Sequence, residues 1–495
     1  MSLLRNSSTV LVGRAASAVI QIASAAVLAR LLTPEQFGTF AVAAGTIGLI
    51  VAFREFGTSN YLIRAATLSR ETVGSVVLVS VLLSWTLGLA VVVAVPWLVD
   101  FFGAPELRAI FWVLAANFVI APFTAVASAL LRREERFTEE VIIGLVAASL
   151  GAAVMILLAL FGVGAMSLAL GALVSTAARL ILTVGRDPAG FTVVPALGDI
   201  GQVVSFGSWL TAVSVSTQLS ERSPELVIGR LLGLSAAGFF DKAAALMRLV
   251  NQLSNAVVQG VVFPVMSRER RNSGTNAQLF VYRLEALASI VWPIYAFLAI
   301  EAGDVILLLF GPQWAASVPV ASWLALSVGL IAPFMLGDQV LIAAGKLRGL
   351  FIAKAQLLVT RVVAMILAAP FGLSAVAVAL IVPAALYLVS LQYFLRRELS
   401  CSVKSITRPL LRALLVTIVA VGATLGVREL VPDASLLHTL GRLALTAAAN
   451  VAVILLLSYV LPSPLRELRA RVMKIARERG EALWSRYARA SIGRS

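Results

Sequence analysis

The sequence is poor in the residues that most enzyme chemistry needs. It has one cysteine, Cys401, and one histidine, His438, in 495 residues. Those counts exclude a disulfide scaffold, a Cys/His metal centre and a Cys–His nucleophile pair. Charge is scarce too: 13% of the chain is charged against 60% hydrophobic. A soluble chain of this length needs a larger polar surface, so the class is polytopic membrane protein. The phosphate-cradling pattern GxxxxGK[ST] does not occur, and no stretch between the apolar segments is long enough to fold as an ATPase. Any energy for work across the membrane must come from an ion gradient or from removal of product.

Long apolar runs take the place of that chemistry. Residues 72–99, TVGSVVLVSVLLSWTLGLAVVVAVPWLV, are long enough to cross ~30 Å of hydrocarbon as a helix. Barrel strands would be about half as long and would alternate in polarity. The fold is therefore all-α. Gly, Pro and charge punctuate about fourteen spans, near 10–32, 37–58, 72–99, 107–131, 138–161, 164–184, 200–230, 237–266, 277–300, 317–344, 347–370, 373–395, 409–427 and 440–461. An even count puts both termini on one side. The segments on that side hold 28 Lys and Arg, and the opposite loops hold four, Arg108, Arg230, Arg428 and Arg442. By the positive-inside rule both termini are cytoplasmic. This asymmetry accounts for most of the net charge of +15 without nucleic acid as a partner. The tail 462–495, with nine basic and three acidic residues, reads as an amphipathic cytoplasmic segment on anionic lipid headgroups, or else as a docking helix.

The chain also repeats itself. RLLTPEQFGTF (Arg30–Phe40) returns as RLLGLSAAGFF (Arg230–Phe240), with five identities in eleven. IAPF occurs at Ile120–Phe123 and Ile331–Phe334, and FGVGAMSLAL (Phe161–Leu170) is echoed by FGLSAVAVAL (Phe371–Leu380). The offsets of 200, 211 and 210 fit one duplication with a later insertion of ten residues. The expected organisation is an N-lobe of six helices over 1–199, a C-lobe of six over 200–400, two appended helices within 401–461, and the basic tail. Six is even, so both halves enter the membrane from the same side. Such parallel repeats commonly hold a substrate site between them.

Twelve core helices in two six-helix lobes, two C-terminal helices and the hairpin phrase ARLLTPEQFGTFA together resemble the polysaccharide transporters of the MOP superfamily, the Wzx-type lipid-linked oligosaccharide flippases. The resemblance implies a V-shaped cavity between lobes. It implies movement of an undecaprenyl-diphosphate-linked glycan from the cytoplasmic to the periplasmic leaflet of the inner membrane. It further implies work beside a glycan polymerase and a chain-length regulator, with no enzymatic step; two halves that each supply one wall let a monomer suffice. A MATE-like multidrug/cation antiporter and a lipid II flippase share the architecture and are the alternatives.

Eight basic residues remain within the spans, and six of them (Arg14, Arg30, Arg54, Arg222, Lys242 and Arg248) lie in spans 1, 2, 7 and 8. Charge in hydrocarbon is costly and normally faces a wet cavity or a partner. Helical spacing gathers Arg14, Ser17, Gln21 and Ser24 on one face of span 1. Thr211, Ser214, Gln218, Arg222 and Glu225 form a stripe on span 7, with Glu221 at its edge. Asp241, Arg248, Gln252, Asn255 and Gln259 form a third stripe on span 8. Guanidinium groups suit a diphosphate and amides suit sugar hydroxyls. The expected cavity set is Arg14, Gln21, Arg54, Gln218, Arg222, Arg248, Gln252, Asn255 and Gln259. Interhelical hydrogen bonding is the alternative reading of the neutral members. Glu221, Glu225 and Asp241 are candidates for H+ or Na+ coupling, or for structural ion pairs. Arg30 and Arg230 sit at equivalent outer helix ends, where snorkelling suffices. Arg283 and Arg361 read as lobe-stabilising or interfacial, and EAGD (Glu301–Asp304) as an ordinary helix end.

Overall fold

The computed structural model describes residues 2–54, 62, 69–186, 208–257, 276–399, 403–431 and 436–460. Among them every regular element is helical. The helices are α1 (Ser2–Leu31), α2 (Pro34–Arg54), α3 (Arg70–Phe102), α4 (Leu107–Arg133), α5 (Phe137–Leu160), α6 (Ala165–Arg186), α7 (Ser208–Leu231), α8 (Leu234–Val257) and α9 (Asn276–Phe310). They continue as α10 (Ser317–Ile331), α11 (Met335–Ala343), α12 (Leu347–Ala368), α13 (Leu373–Ala379), α14 (Ile381–Leu399), α15 (Val403–Leu430) and α16 (Leu436–Val460). The 3-10 turn Ala332–Phe334 joins α10 to α11 as one span, and α13 runs into α14 as another. Counted this way the described residues hold the fourteen expected spans, eleven of them long and apolar enough to cross a membrane. The basic tail 462–495 lies outside the described residues.

Exposure along α3 shows how such a helix is solvated. Leu82, Trp85, Leu89, Val93 and Trp97 recur every three or four residues and are all exposed, while Val91, Val95 and Val99 are buried. One helical face thus carries large apolar side chains outward, as a lipid-facing surface does.

Contacts divide the chain into two compact units. The first holds residues 1–246, 305–324 and 345–387; the second holds 247–304, 325–344 and 388–495. Helix α9 passes from the second to the first between Asp304 and Val305.

In the first unit several helices meet at glycine. Cβ atoms built on Gly151 of α5 and Gly171 of α6 would each stand 2.8 Å from the other's carbonyl oxygen. The tightest approach joins the two copies of the repeated phrase. A Cβ on Gly38 would fall 1.7 Å from the Leu234 carbonyl oxygen, and one on Gly238 would fall 2.0 Å from that of Pro34. Gly38 and Gly238 are 200 residues apart in sequence, as are Pro34 and Leu234, so the contact is reciprocal and the duplicated phrases face each other about a local two-fold. That contact explains why the chain writes the phrase twice: each copy supplies the glycine that the other copy's helix start requires. The turns match as well, with Leu32 and Leu232 N–H closing on Leu28 and Ile228, and Phe37 and Ala237 closing on Thr33 and Gly233.

Trp314 seals this junction. Fully buried, it donates from Nε1 to the Ala29 carbonyl at 2.8 Å. It meets Phe37 and Phe239 edge-on at 5.4 and 6.0 Å, one from each copy. Gln313 donates to the same Ala29 carbonyl.

The second unit is held differently. Asn450 of α16 donates to the Thr424 hydroxyl of α15 at 2.8 Å, with both side chains buried. At one end of α9 the buried Glu285 pairs with Arg412 of α15 at 3.4 Å. At its other end Glu301 and Asp304 meet Arg442 of α16. Arg428 and Arg442, expected in an outer loop, therefore stand within α15 and α16, and Arg442 is 2% exposed. The reason is mutual neutralisation: a charge that finds its opposite on a neighbouring helix no longer has to leave the apolar layer.

Candidate functional site

Pro224 lies inside α7 and has no N–H to offer the carbonyl four residues back, that of Ser220. A freed carbonyl in an apolar layer must find another donor. Arg361 of α12 supplies it, donating from Nη1 to the Ser220 carbonyl at 2.7 Å and reaching the Ser220 hydroxyl at 3.3 Å. The Ser223 hydroxyl leans on the same carbonyl at 3.2 Å. Bringing a guanidinium to this turn requires compensating charge, and Glu221 and Glu225 of α7 provide it. Glu225 is buried and Glu221 exposed.

Helix α2 makes room for the other side of the cluster. A Cβ on Gly45 would lie 3.4 Å from the Glu225 Cβ and 3.7 Å from the Arg222 carbonyl. One on Gly48 would lie 3.2 Å from the Arg222 Nε. The glycine face of α2 is thus the bed on which the half-buried Arg222 stem rests. One turn of α7 therefore gathers two guanidinium groups and two carboxylates between α2 and α12. The charges balance in number but not in placement. Arg361 is locked to backbone, whereas Arg222 and Glu221 stand at the less buried side. Such a turn can offer a cation to an anionic head while holding the reserve carboxylate that prevents permanent capture.

Several expected residues join this turn and others do not. Arg222, Glu221 and Glu225 belong to it, and Gln218 is half-buried one turn before Arg222. Arg54 ends α2 with its guanidinium 5.8 Å from the centre of the Phe118 ring, a cation–π arrangement on α4. Gln21 is exposed on α1, and the Ser24 hydroxyl of its stripe bonds back to the Gln21 carbonyl. Arg14 lies on α1 and Asn255 on α8, with side chains outside the described set; Gln259 lies outside the described residues altogether. Arg248 and Gln252 are exposed on α8 in the second unit. Asp241 is half-buried on α8 in the first.

Its neighbour Lys242 is 3% exposed. Its ammonium stands 3.2 Å from the Phe37 ring centre, with Trp314 at 5.2 and Phe310 at 5.5 Å. That aromatic box gives Lys242 a structural role at the hairpin junction. Arg230 lies over the Phe101 ring at 5.3 Å, and Arg30 donates to the Leu308 carbonyl at 2.9 Å. These two hold neighbouring helix ends as well as reaching outward.

Sequence reasoning set Arg361 apart from the cavity set and did not place it at the α7 turn, because its pattern on span 11 is featureless. The signal that finds it lies on another helix, where Pro224 orphans the Ser220 carbonyl.

Comparison with known proteins adds three kinds of likeness. A family model described as "Polysaccharide biosynthesis protein" matches residues 27–319, from the end of α1 into α10. The succinoglycan biosynthesis transport protein ExoT of Rhizobium meliloti (strain 1021) is 29% identical over 309 residues, 62% of each chain. The lipopolysaccharide biosynthesis protein WzxC of Escherichia coli (strain K12) is 28% identical over 311 residues, again 62% of each. The matched region thus spans about three-fifths of the length of these curated relatives. Among solved structures, the lipid II flippase MurJ in an inward closed conformation superposes with a TM-score of 0.69 at 12% identity, covering 91% of this chain and 98% of its own. An inward-facing MATE-family transporter of the MOP superfamily superposes at 0.60 with 16% identity, covering 78% and 94%. At those identities the likeness is one of fold: the helices follow the MOP arrangement.

Proposed function

The chain belongs to the polysaccharide biosynthesis protein family, and we propose that it is a flippase for a polyprenyl-diphosphate-linked oligosaccharide. It would carry the repeat unit of an exopolysaccharide, capsule or O-antigen from the cytoplasmic to the periplasmic leaflet of the inner membrane by alternating access, without an enzymatic step. The observation that carries this reading is the reach of the family match, which contains both copies of the hairpin phrase and all of α7 with Glu221, Arg222 and Glu225. Relatives named for succinoglycan transport and lipopolysaccharide biosynthesis support the cargo class.

On this reading Arg222 is the residue that grips the diphosphate, and Gln218 the nearest amide for sugar hydroxyls. Arg14, Gln21, Arg54, Arg248, Gln252, Asn255 and Gln259 complete the proposed path. Arg361 is a positioning residue that holds the α7 turn. Glu221 is the favoured site for H+ or Na+ coupling, with Asp241 second; Glu225 serves as a counter-charge. Both termini face the cytoplasm, and the protein works as a monomer beside a glycan polymerase and a chain-length regulator.

The lipid II flippase reading has the fold likeness to MurJ in its favour. Family membership weighs against it and against a MATE-like antiporter.

The test is deletion in the native host, with lipid-linked oligosaccharides extracted and their leaflet assigned by a membrane-impermeant probe. Accumulation in the cytoplasmic leaflet, reversed by the wild type and not by an equally expressed Arg222→Ala variant, is the expected result. An unchanged glycan-lipid pool with new sensitivity to cationic drugs would replace the flippase by an antiporter.

A further inference from the structure

The cluster at the end of α9 is not used by the proposed path. Glu301 and Asp304 are one turn apart on α9, Arg442 reaches them from α16, and Arg428 of α15 reaches the adjacent Ile300 carbonyl. The Glu301 side chain is 0% exposed, and among the described residues neither of its carboxyl oxygens has a hydrogen-bond donor. The Arg442 Nη2 stands 3.9 Å from Glu301 Oε2 but donates to Asp304 Oδ2 in close contact, so Asp304 holds the guanidinium. Arg428 is exposed and spends a donor on the Ile300 carbonyl at 3.4 Å. Its charge reaches Glu301 only after screening.

Two acids therefore share one enclosed cation. An ionised carboxylate without a hydrogen-bond donor, sealed from water, is strongly disfavoured, and two such charges side by side are more so. Glu301 Oε2 and Asp304 Oδ2 both approach the same Arg442 Nη2, Glu301 at 3.9 Å and Asp304 in close contact, so the two carboxyl groups crowd one nitrogen. Two ionised carboxylates are both acceptors, so a contact between them becomes a hydrogen bond only if one of them carries a proton. Glu301 is the fully enclosed member. Asp304, with 19% of its side chain exposed, is the member that can exchange with outside water.

We propose that Glu301 is a proton-binding site: it holds a proton, donates it in a hydrogen bond to Asp304, and leaves Asp304 and Arg442 as the ion pair that joins α9 to α16. Removal of that proton places a second negative charge on Arg442 and sets Glu301 against Asp304 for the same guanidinium. The site is chemically distinct from Glu221 and Asp241. It does not depend on which cargo the protein carries, because its ligand is the proton.

The experiment uses the purified full-length chain in lipid nanodiscs and infrared difference spectra between wild type and Glu301→Gln at neutral pH. The expected result is a carbonyl stretch of a protonated carboxylic acid, shifted in D2O, present in the wild type and absent from the variant. In Asp304→Asn the same band is expected to vanish although Glu301 remains, because Arg442 is released to pair with it. Glu301→Gln should fold with an unchanged Tm, since a neutral isostere replaces a neutral acid. Absence of the band in the wild type would overturn the proposal, as would its survival in Glu301→Gln. A Glu301→Gln chain that fails to fold would do the same, because it would mean that the negative charge is required.

Discussion

The reciprocal glycine contact predicts an asymmetry between glycines that look alike in sequence. Replacing Gly38 or Gly238 by Ala places a methyl group against a backbone carbonyl, 1.7 Å and 2.0 Å away respectively. No rotamer change relieves such a clash, because the obstacle is the start of a helix. The two hairpins must separate by more than about 1 Å, which forfeits about half or more of the dispersion at each contact it opens. Overpacking typically costs about 1–3 kcal/mol. With backbone on both sides and Trp314 wedged beside it, each substitution belongs at or above the top of that range, about 3 kcal/mol. Gly144 and Gly185 are the controls: both are helical, and an added Cβ would meet nothing within 4 Å. There Ala should be neutral or stabilising by up to about 1 kcal/mol. The assay is thermal unfolding of detergent-purified protein. Once one substitution has parted the hairpins the second finds space, so the double variant should lose clearly less than the sum of the singles. Gly38→Ala as stable as Gly144→Ala would refute the contact, and strict additivity would refute its reciprocity.

Three other outcomes follow from the packing. Pro224→Ala restores an N–H to the Ser220 carbonyl that Arg361 now serves. Arg361→Met should therefore cost about 2 kcal/mol in the native background and measurably less in the Pro224→Ala background, a coupling of about 1 kcal/mol in a double-mutant cycle. Gly48→Ala crowds only the flexible Arg222 stem. It should leave Tm nearly unchanged yet lower flipping in the leaflet assay, and a full loss of folding would contradict the bed that α2 provides. Asn450→Leu breaks the buried link to Thr424 and should lower stability by about 1 kcal/mol, a loss that Thr424→Val in the same chain should not deepen.

How much of this was legible in the sequence depended on whether a residue's neighbours lie in its own helix. Fourteen spans and the repeated hairpin phrase could be read directly, because apolar run length and a 200-residue echo are properties of the string. The α7 stripe was legible for the same reason: Gln218, Arg222 and Glu225 fall on one face by spacing alone. Arg361 was not, since the carbonyl that demands it belongs to a residue 141 positions away. Only the proline made that demand visible in advance. The same limit applied to Gly45 and Gly48, which in sequence are two small residues among many. Their meaning comes from the arginine and glutamate laid across them.

Arg442 is the instructive failure. Counting charges to orient a membrane chain treats each Lys or Arg as a marker of water, which holds when the charge stands alone. Here Arg442 and Asp304 cancel across a helix interface, and the buried Glu301 beside them escapes ionisation if it keeps its proton. A group of this kind leaves no trace in hydropathy, because its members lie 138 residues apart and each reads locally as a helix end. Topology by charge count is therefore least reliable where opposite charges can meet, which is also where a titratable group in a membrane protein is most useful. The same argument separates the two acidic clusters of this chain. At α7 the count is two guanidiniums to two carboxylates, so the turn can offer Arg222 to an anion. At the end of α9 two acids share one enclosed guanidinium, and the shortfall is made good most cheaply by a proton.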